Sequence, residues 1–146
     1  MPEAVVAITG ASGAQYGVRL VDELLGAGWQ VSLIITSAGA INLGLECGIT
    51  PQDIGERDGV TLEDNGNLAA RSASGSARFD AYVVCPASGT TVGKIAAGIS
   101  DNLATRSALV ALKERRKLIV VPREAPVSTP HLEAMARMSA WGVVIL

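Results

Sequence analysis

Short, uninterrupted apolar runs alternate along the chain with segments whose apolar residues recur at helical spacing. Val5-Val6-Ala7-Ile8, ended by Thr9-Gly10, reads as a strand buried on both faces. From Gly13 to Leu25 the residues Ala14, Val18, Val21, Leu24 and Leu25 fall on one helical stripe, and Gly26 and Gly28 end it. The rhythm then predicts a strand over 31–35 and a helix over 38–45. A strand over 81–85 closed by Pro86 follows, then helices over 91–97 and 101–112 on either side of Gly98. A strand over 118–121 closed by Pro122, a helix over 129–140 with Pro130 in its first turn, and a strand over 143–146 complete the pattern. Residues 48–78 interrupt it. They hold Pro51, several glycines and an Asn65-Gly66 turn signal, and read as a polar excursion within one domain.

Five such strands alternating with helices imply right-handed βαβ crossovers, which build a doubly wound parallel sheet in a three-layer α/β/α sandwich. In that architecture ligands sit at the carboxyl ends of the strands. Three strand ends carry small, polar or charged residues: Thr9 to Gly13, Pro86 to Thr91, and Pro122 to Glu124. The fold therefore gathers these segments on one edge. The 146 residues fit a single domain spanning 1–146, and 49% hydrophobic against 18% charged residues gives it a substantial core.

Composition removes several function classes. A net charge of −2 and 3% aromatics offer neither a basic surface nor a stacking platform for nucleic acid. Cys47 and Cys85 lie outside any CxxC or Cys/His cluster, so neither a metal centre nor a disulfide scaffold is expected. They read as small buried hydrophobes in a reducing cytoplasm. Met1 to Val6 lacks the features of a signal peptide, and no apolar run approaches the roughly 18 residues of a membrane helix.

The candidate chemistry lies in the strand ends. Gly10-Ala11-Ser12-Gly13-Ala14-Gln15-Tyr16-Gly17 follows a strand and opens a helix, whose N-terminus offers free N–H groups and a positive dipole to an anion. The spacing fits neither GxGxxG nor a Walker A loop, and the segment can equally be a structural turn with Ser12 as a cap. In Pro86-Ala87-Ser88-Gly89-Thr90-Thr91, three hydroxyls and a glycine precede a helix and can hold a phosphate without a metal. Arg123-Glu124 stands at a strand end between two prolines, where an Arg and a Glu can bind an oxyanion and hand over a proton. Arg115, Arg116 and Lys117 read instead as a solvated, dipole-matched helix end. Glu46, in an apolar helix end, is either partly exposed or held near the site with a raised pKa. Arg106 reads as a surface residue, and Trp29 and Trp141 as packing. His131, the sole histidine, reads as a helix-start or packing residue because it has no second His or nearby Cys to build a triad or metal site with.

These motifs occur together and in order. Thr9 to Gly17, Ser74-Gly75-Ser76, Pro86-Ala87-Ser88, Asp101-Asn102-Leu103, Leu112 to Arg116 and Pro122 to Pro126 resemble the UbiX-type flavin prenyltransferases over nearly the whole chain. The resemblance implies a flavodoxin-like Rossmann fold assembled as a dodecamer of trimers, with FMN bound between subunits and no metal. It implies transfer of a dimethylallyl group from dimethylallyl monophosphate to N5 and C6 of reduced FMN, yielding prenylated FMN for a UbiD-type decarboxylase. Residue by residue, Gly10, Ala11 and Ser12 match the first FMN loop. Thr36 falls where the family usually has Ser. Ser88, Gly89, Thr90 and Thr91 match the phosphate loop, and Arg123 an FMN-contacting arginine. Ser12, Glu46, Arg106, Lys113, Arg123 and Glu124 match positions lining the prenyl phosphate pocket. There the cations would neutralise the leaving phosphate and Glu124 would protonate it or relay protons. The resemblance also implies one further helix and tail, bearing a tyrosine and a basic residue that grip the substrate, beyond Leu146. Two other readings remain. A flavin-dependent cysteine decarboxylase shares the loop pattern but needs a mid-chain His and an Asn-rich loop, and a non-catalytic FMN-binding subunit needs only the cofactor site.

Overall fold

The computed structural model describes all residues from Met1 to Leu146. Its strands are β1 (Glu3–Ile8), β2 (Gln30–Ile35), β3 (Val60–Glu63), β4 (Ala81–Ala87), β5 (Leu118–Pro122) and β6 (Val144–Ile145). Its helices are α1 (Ala14–Gly26), α2 (Ser37–Asn42), α3 (Pro51–Gly55), α4 (Gly89–Ala97), α5 (Leu103–Lys113) and α6 (Thr129–Ala140). All strand pairings are parallel, in the order β3-β2-β1-β4-β5-β6. The chain winds outward from β1 in one direction through β2 and β3, and in the other through β4, β5 and β6. The reversal lies between β1 and β4, where a doubly wound sheet opens a crevice at its carboxyl edge. The flavodoxin-like, three-layer expectation holds.

Alternation along the central strands feeds two cores. Val6 and Ile8 of β1 pack with Val31, Leu33 and Ile35 of β2, Ala14 and Val21 of α1, and Ile54 of α3. Val5 and Ala7 point the other way, with Tyr82 and Val84 of β4, Ile95 of α4, Leu103 of α5 and Met138 of α6. Each Val or Leu so enclosed contributes about 1.5–3 kcal/mol.

Four expectations need correction. The sheet has six strands, because the excursion over 48–78 contains β3 as well as α3, which a Thr50–Asp53 capping box starts. β3 pairs only with β2 and has no fully buried residue, so it lacks the apolar run that marks the central strands. The helix expected over 38–45 also stops early. Regular α2 gives way to a π-helical turn, Leu43–Cys47, which swings Glu46 back toward the start of α1. The Asn65-Gly66 turn is present, and Asn65 also accepts the N–H groups of Leu103 and Ala104 at the start of α5. Arg116 is not a solvated cation. It is half-buried and donates to the carbonyls of Gly75 and Ala77 and to the Tyr82 hydroxyl, tethering the Ser74–Ala77 segment. Trp141 is 50% exposed, so its expected packing role fails.

Candidate functional site

The ends of β1 and β4 are joined by one side chain. The Thr9 hydroxyl, on a residue 1% exposed, donates to the Pro86 carbonyl at 2.7 Å and accepts the Ser88 N–H at 2.8 Å. Arg123 follows β5 and donates its N–H to the Ala87 carbonyl at 3.4 Å. The three strand ends that the sequence placed on one edge therefore do meet there.

A hollow of about 240 Å3 opens at this junction, lined by Gly10, Thr36, Ala38, Ser88, Thr90, Thr91, Lys94 and Asn102. Five of these residues were singled out from the sequence. Gly10 is required because a Cβ there would lie 2.5 Å from the Ala38 Cβ. The Thr36 Oγ1 accepts the Gly39 N–H at 3.0 Å and starts α2. On the far wall the Ser88 Oγ accepts the Thr91 N–H at 3.2 Å and lies 2.9 Å from the Thr91 hydroxyl. The N–H groups of Gly89 and Thr90, in the first turn of α4, have no helical carbonyl to reach, and no acidic side chain occupies that turn. Lys94 and Asn102 were not among the predicted site residues. Lys94 is held at the rim by Asp101 at 2.9 Å. Asp101-Asn102 was quoted only as a motif, and nothing in the local pattern marked Lys94 as facing a ligand.

The donor set is hydroxyls, backbone amides at a helix N-terminus, and one lysine. It suits a phosphomonoester such as the FMN phosphate, which needs several donors and little bulk nearby.

The α1 end of the site is organised differently. Gly13 caps α1 in the left-handed region at φ 102° and offers no side-chain bond. Its capping acceptor arrives from the π turn. The Glu46 carboxylate accepts the Ala14 N–H at 3.0 Å, the Gly13 N–H at 3.1 Å and the Ser12 hydroxyl at 2.8 Å. The Ala14 amide, then the Ser12 hydroxyl, hold its pKa below the ordinary value, and the Arg123 charge adds to this. Of the two expectations for Glu46, exposure is right and a raised pKa is wrong. Ser12 does not cap α1 but orients this carboxylate. Asn42 steadies the same loop by donating to the Ala11 carbonyl at 3.0 Å.

Glu124, just past β5, lies 2.8 Å from His131 Nδ1 in the first turn of α6. Sequence reasoning missed this pair, because nothing local links residues seven apart across a loop and a helix start. Arg106 and Lys113 are not brought to the small hollow. They line a separate, open hollow of about 1060 Å3 with Leu109, Leu112, Arg115 and Trp141. Lys113, at the far end of α5, is about 15 Å along that helix from its start. Its ammonium pairs with Glu114 at 2.8 Å. Cys85 is buried and its thiol pKa is pushed up, whereas Cys47 is half-buried. No three His, Cys, Asp or Glu side chains cluster as metal ligands would, and no helix is long and apolar enough to cross a membrane.

The sequence and the fold both have counterparts among known proteins. The profile of the family described as Flavoprotein matches residues 2–146. A flavin prenyltransferase UbiX of Thermoplasma acidophilum is 45% identical over 141 residues, covering 97% of this chain and 77% of the relative. A dodecameric FMN-dependent UbiX-like decarboxylase from Escherichia coli O157:H7 superposes with a TM-score of 0.93 at 37% identity, covering 98% of this chain and 78% of that one. AnUbiX (PadA1), solved with FMN and dimethylallyl pyrophosphate, superposes with a TM-score of 0.94 at 34% identity, covering 99% of this chain and 76% of that one.

Proposed function

Because the chain belongs to the Flavoprotein family, in its UbiX-type flavin prenyltransferase branch, we propose that it binds FMN at the β1–β4 crevice and prenylates it. The observation that carries this reading is the open donor cradle of Ser88 to Thr91, fixed to β1 by Thr9. The FMN phosphate would take the Gly89 and Thr90 amides and the Ser88, Thr90 and Thr91 hydroxyls. Gly10, Ala11, Ser12, Thr36 and Arg123 would line the rest of the cofactor. Bound and reduced, FMN would supply two nucleophilic positions to dimethylallyl monophosphate: N5, which would replace the phosphate on the allylic carbon, and C6, which would bond to the prenyl alkene as that double bond takes up a proton.

The residues of this chain handle charge and protons. The allylic C–O bond breaks with its electron pair leaving on the phosphate. Arg123 neutralises that charge, and Glu124 delivers or relays the proton the phosphate takes up. Glu46, kept ionised by its three donors, would accept through Ser12 a proton given up in the active site. Arg106 and Lys113 lie apart from the cradle of their own subunit, which supports an oligomer in which they serve the site of a neighbouring copy. A dodecamer fits the assembly of the UbiX-like relative from E. coli. The setting proposed is the cytoplasm, where Cys47 and Cys85 stay reduced, and the product would pass to a UbiD-type decarboxylase.

The deciding experiment is mass spectrometry of the extracted flavin after anaerobic incubation of reduced, FMN-loaded protein with dimethylallyl monophosphate. A flavin heavier by one prenyl group is the expected product. Recovery of FMN alone, from protein that binds it, would leave a cofactor-binding subunit.

A further inference from the structure

His131 is the only histidine of the chain and has no part in the reaction outlined above. It stands in the first turn of α6 with Pro130 before it, so its backbone is fixed by the helix start. Its side chain is 26% exposed and lies 2.8 Å through Nδ1 from Glu124 Oε2, whose side chain is 35% exposed. The Cε1 edge of the ring rests on the phosphate cradle. A Cβ on Gly89 would stand 2.1 Å from His131 Cε1, 2.7 Å from Nδ1 and 2.9 Å from Nε2, so the ring covers the Gly89 Cα. One imidazole thus touches both the carboxylate at the end of β5 and the first residue of α4.

From this geometry we infer that His131 is a positioning residue: its Nδ1–H holds Glu124 Oε2 and leaves Oε1 to face the prenyl phosphate. Glu124 sits in a loop between two prolines, and a free glutamate has three rotatable bonds. A donor that is itself wedged against the cradle fixes the carboxylate relative to the bound phosphate. Proton transfer demands that distance, because misplacement of about 1 Å costs on the order of a hundredfold in rate. The small residue at 89 is then part of the device, since it makes room for the ring. The inference rests on the prenyl-transfer reading, in which Glu124 serves the leaving phosphate.

Two arms test it. In the kinetic arm, His131→Ala should lower kcat for prenyl transfer to FMN by about tenfold to a hundredfold. The Kd for FMN and the KM for dimethylallyl monophosphate should change little. His131→Asn, which keeps an N–H donor at similar reach, should recover most of the rate. In a Glu124→Gln background the same His131→Ala change should cost little more, because the two residues act as one unit. Unchanged kcat, additive losses, or a loss confined to FMN affinity would overturn the inference.

The second arm needs no turnover. The single histidine gives one unambiguous imidazole in 15N NMR of the FMN-loaded protein. Its Nδ1 should carry the proton in the wild type and revert toward the Nε2–H form in Glu124→Ala. An unchanged tautomer would show that Glu124 is not held by His131. If the wild-type protein makes no prenylated flavin, the prenyl-transfer reading fails, and the catalytic part of this inference fails with it. The NMR arm still decides whether the contact exists.

Discussion

Helices α1 and α4 begin at neighbouring strand ends and treat their positive N-termini in opposite ways. At α1 the chain supplies its own anion. Glu46, brought back by the π turn, accepts two backbone amides and the Ser12 hydroxyl. At α4 the first turn carries no acidic residue, Ser88 satisfies only the Thr91 N–H, and Ser88, Thr90 and Thr91 line a hollow. Both loops look alike in the sequence, each being a strand followed by Gly, Ser and small residues. The difference shows that a helix N-terminus becomes a binding site only where the fold leaves it unfilled. On the proposed reading it also divides the labour: α4 would grip a phosphate, while α1 keeps an ionised carboxylate at the neighbouring strand end.

The sharpest way to break this asymmetry is to fill the open end. Thr90→Glu should place a carboxylate in the first turn of α4, much as Glu46 serves α1. FMN affinity should fall by more than about a hundredfold, since two like charges about 4 Å apart repel by roughly 4 kcal/mol at a partly solvated site. The fold should survive, because an acidic first turn favours the helix. Fluorescence titration with FMN and a melting curve read the two effects, and retained affinity would show that the phosphate sits elsewhere.

Ser88→Ala removes one donor to the phosphate and the cap of α4. A hydrogen bond to a charged group is worth about 1.5–3 kcal/mol, so FMN affinity should drop about tenfold or more. Equal affinity in the same titration would remove Ser88 from the cradle.

Thr9→Val tests the link between the two ends. It strands the Ser88 N–H, while the Pro86 carbonyl keeps the Thr9 N–H at 3.2 Å; the cost is about 1–3 kcal/mol, which lowers Tm by several degrees. A melting point equal to wild type would mean the loops hold their places without the bridge.

Glu46→Gln gives the smallest expected effect and sharpens the comparison through pH. The folded-state pKa of Glu46 lies below its ordinary value of 4.5. Its contribution is therefore fully present above that value and fades as pH falls through the folded pKa. The wild type should be the more stable near neutrality, and the gap should close on acidification below the ordinary glutamate range. A gap that is the same at acid and neutral pH would remove the carboxylate's charge from the account.

How far the sequence disclosed this arrangement depended on whether the signal was local. The central strands were legible because both faces are buried and the apolar runs are continuous. The edge strand β3 was not, since Val60 and Leu62 are only half-buried and Thr61 is exposed. The residues of the small hollow were legible in good part, because strand ends converge in any doubly wound sheet. What Glu46 does there was not, for its partners lie more than thirty residues away and are reached through a π turn that no periodicity announces. Arg116 and His131 escaped for a related reason. Each looks like an ordinary helix-end residue until tertiary folding brings the Ser74–Ala77 segment or Glu124 against it.

The Thr9 hydroxyl spends both its proton and a lone pair on strand β4 and the residue after it. A spacer that both pulls and is pulled sets the gap between the two strand ends and leaves it little play. A flavin arriving there would meet a slot already cut to width, so binding would spend little on rearranging the protein. The same rigidity would make the slot a poor host for molecules whose phosphate and ring system are differently spaced.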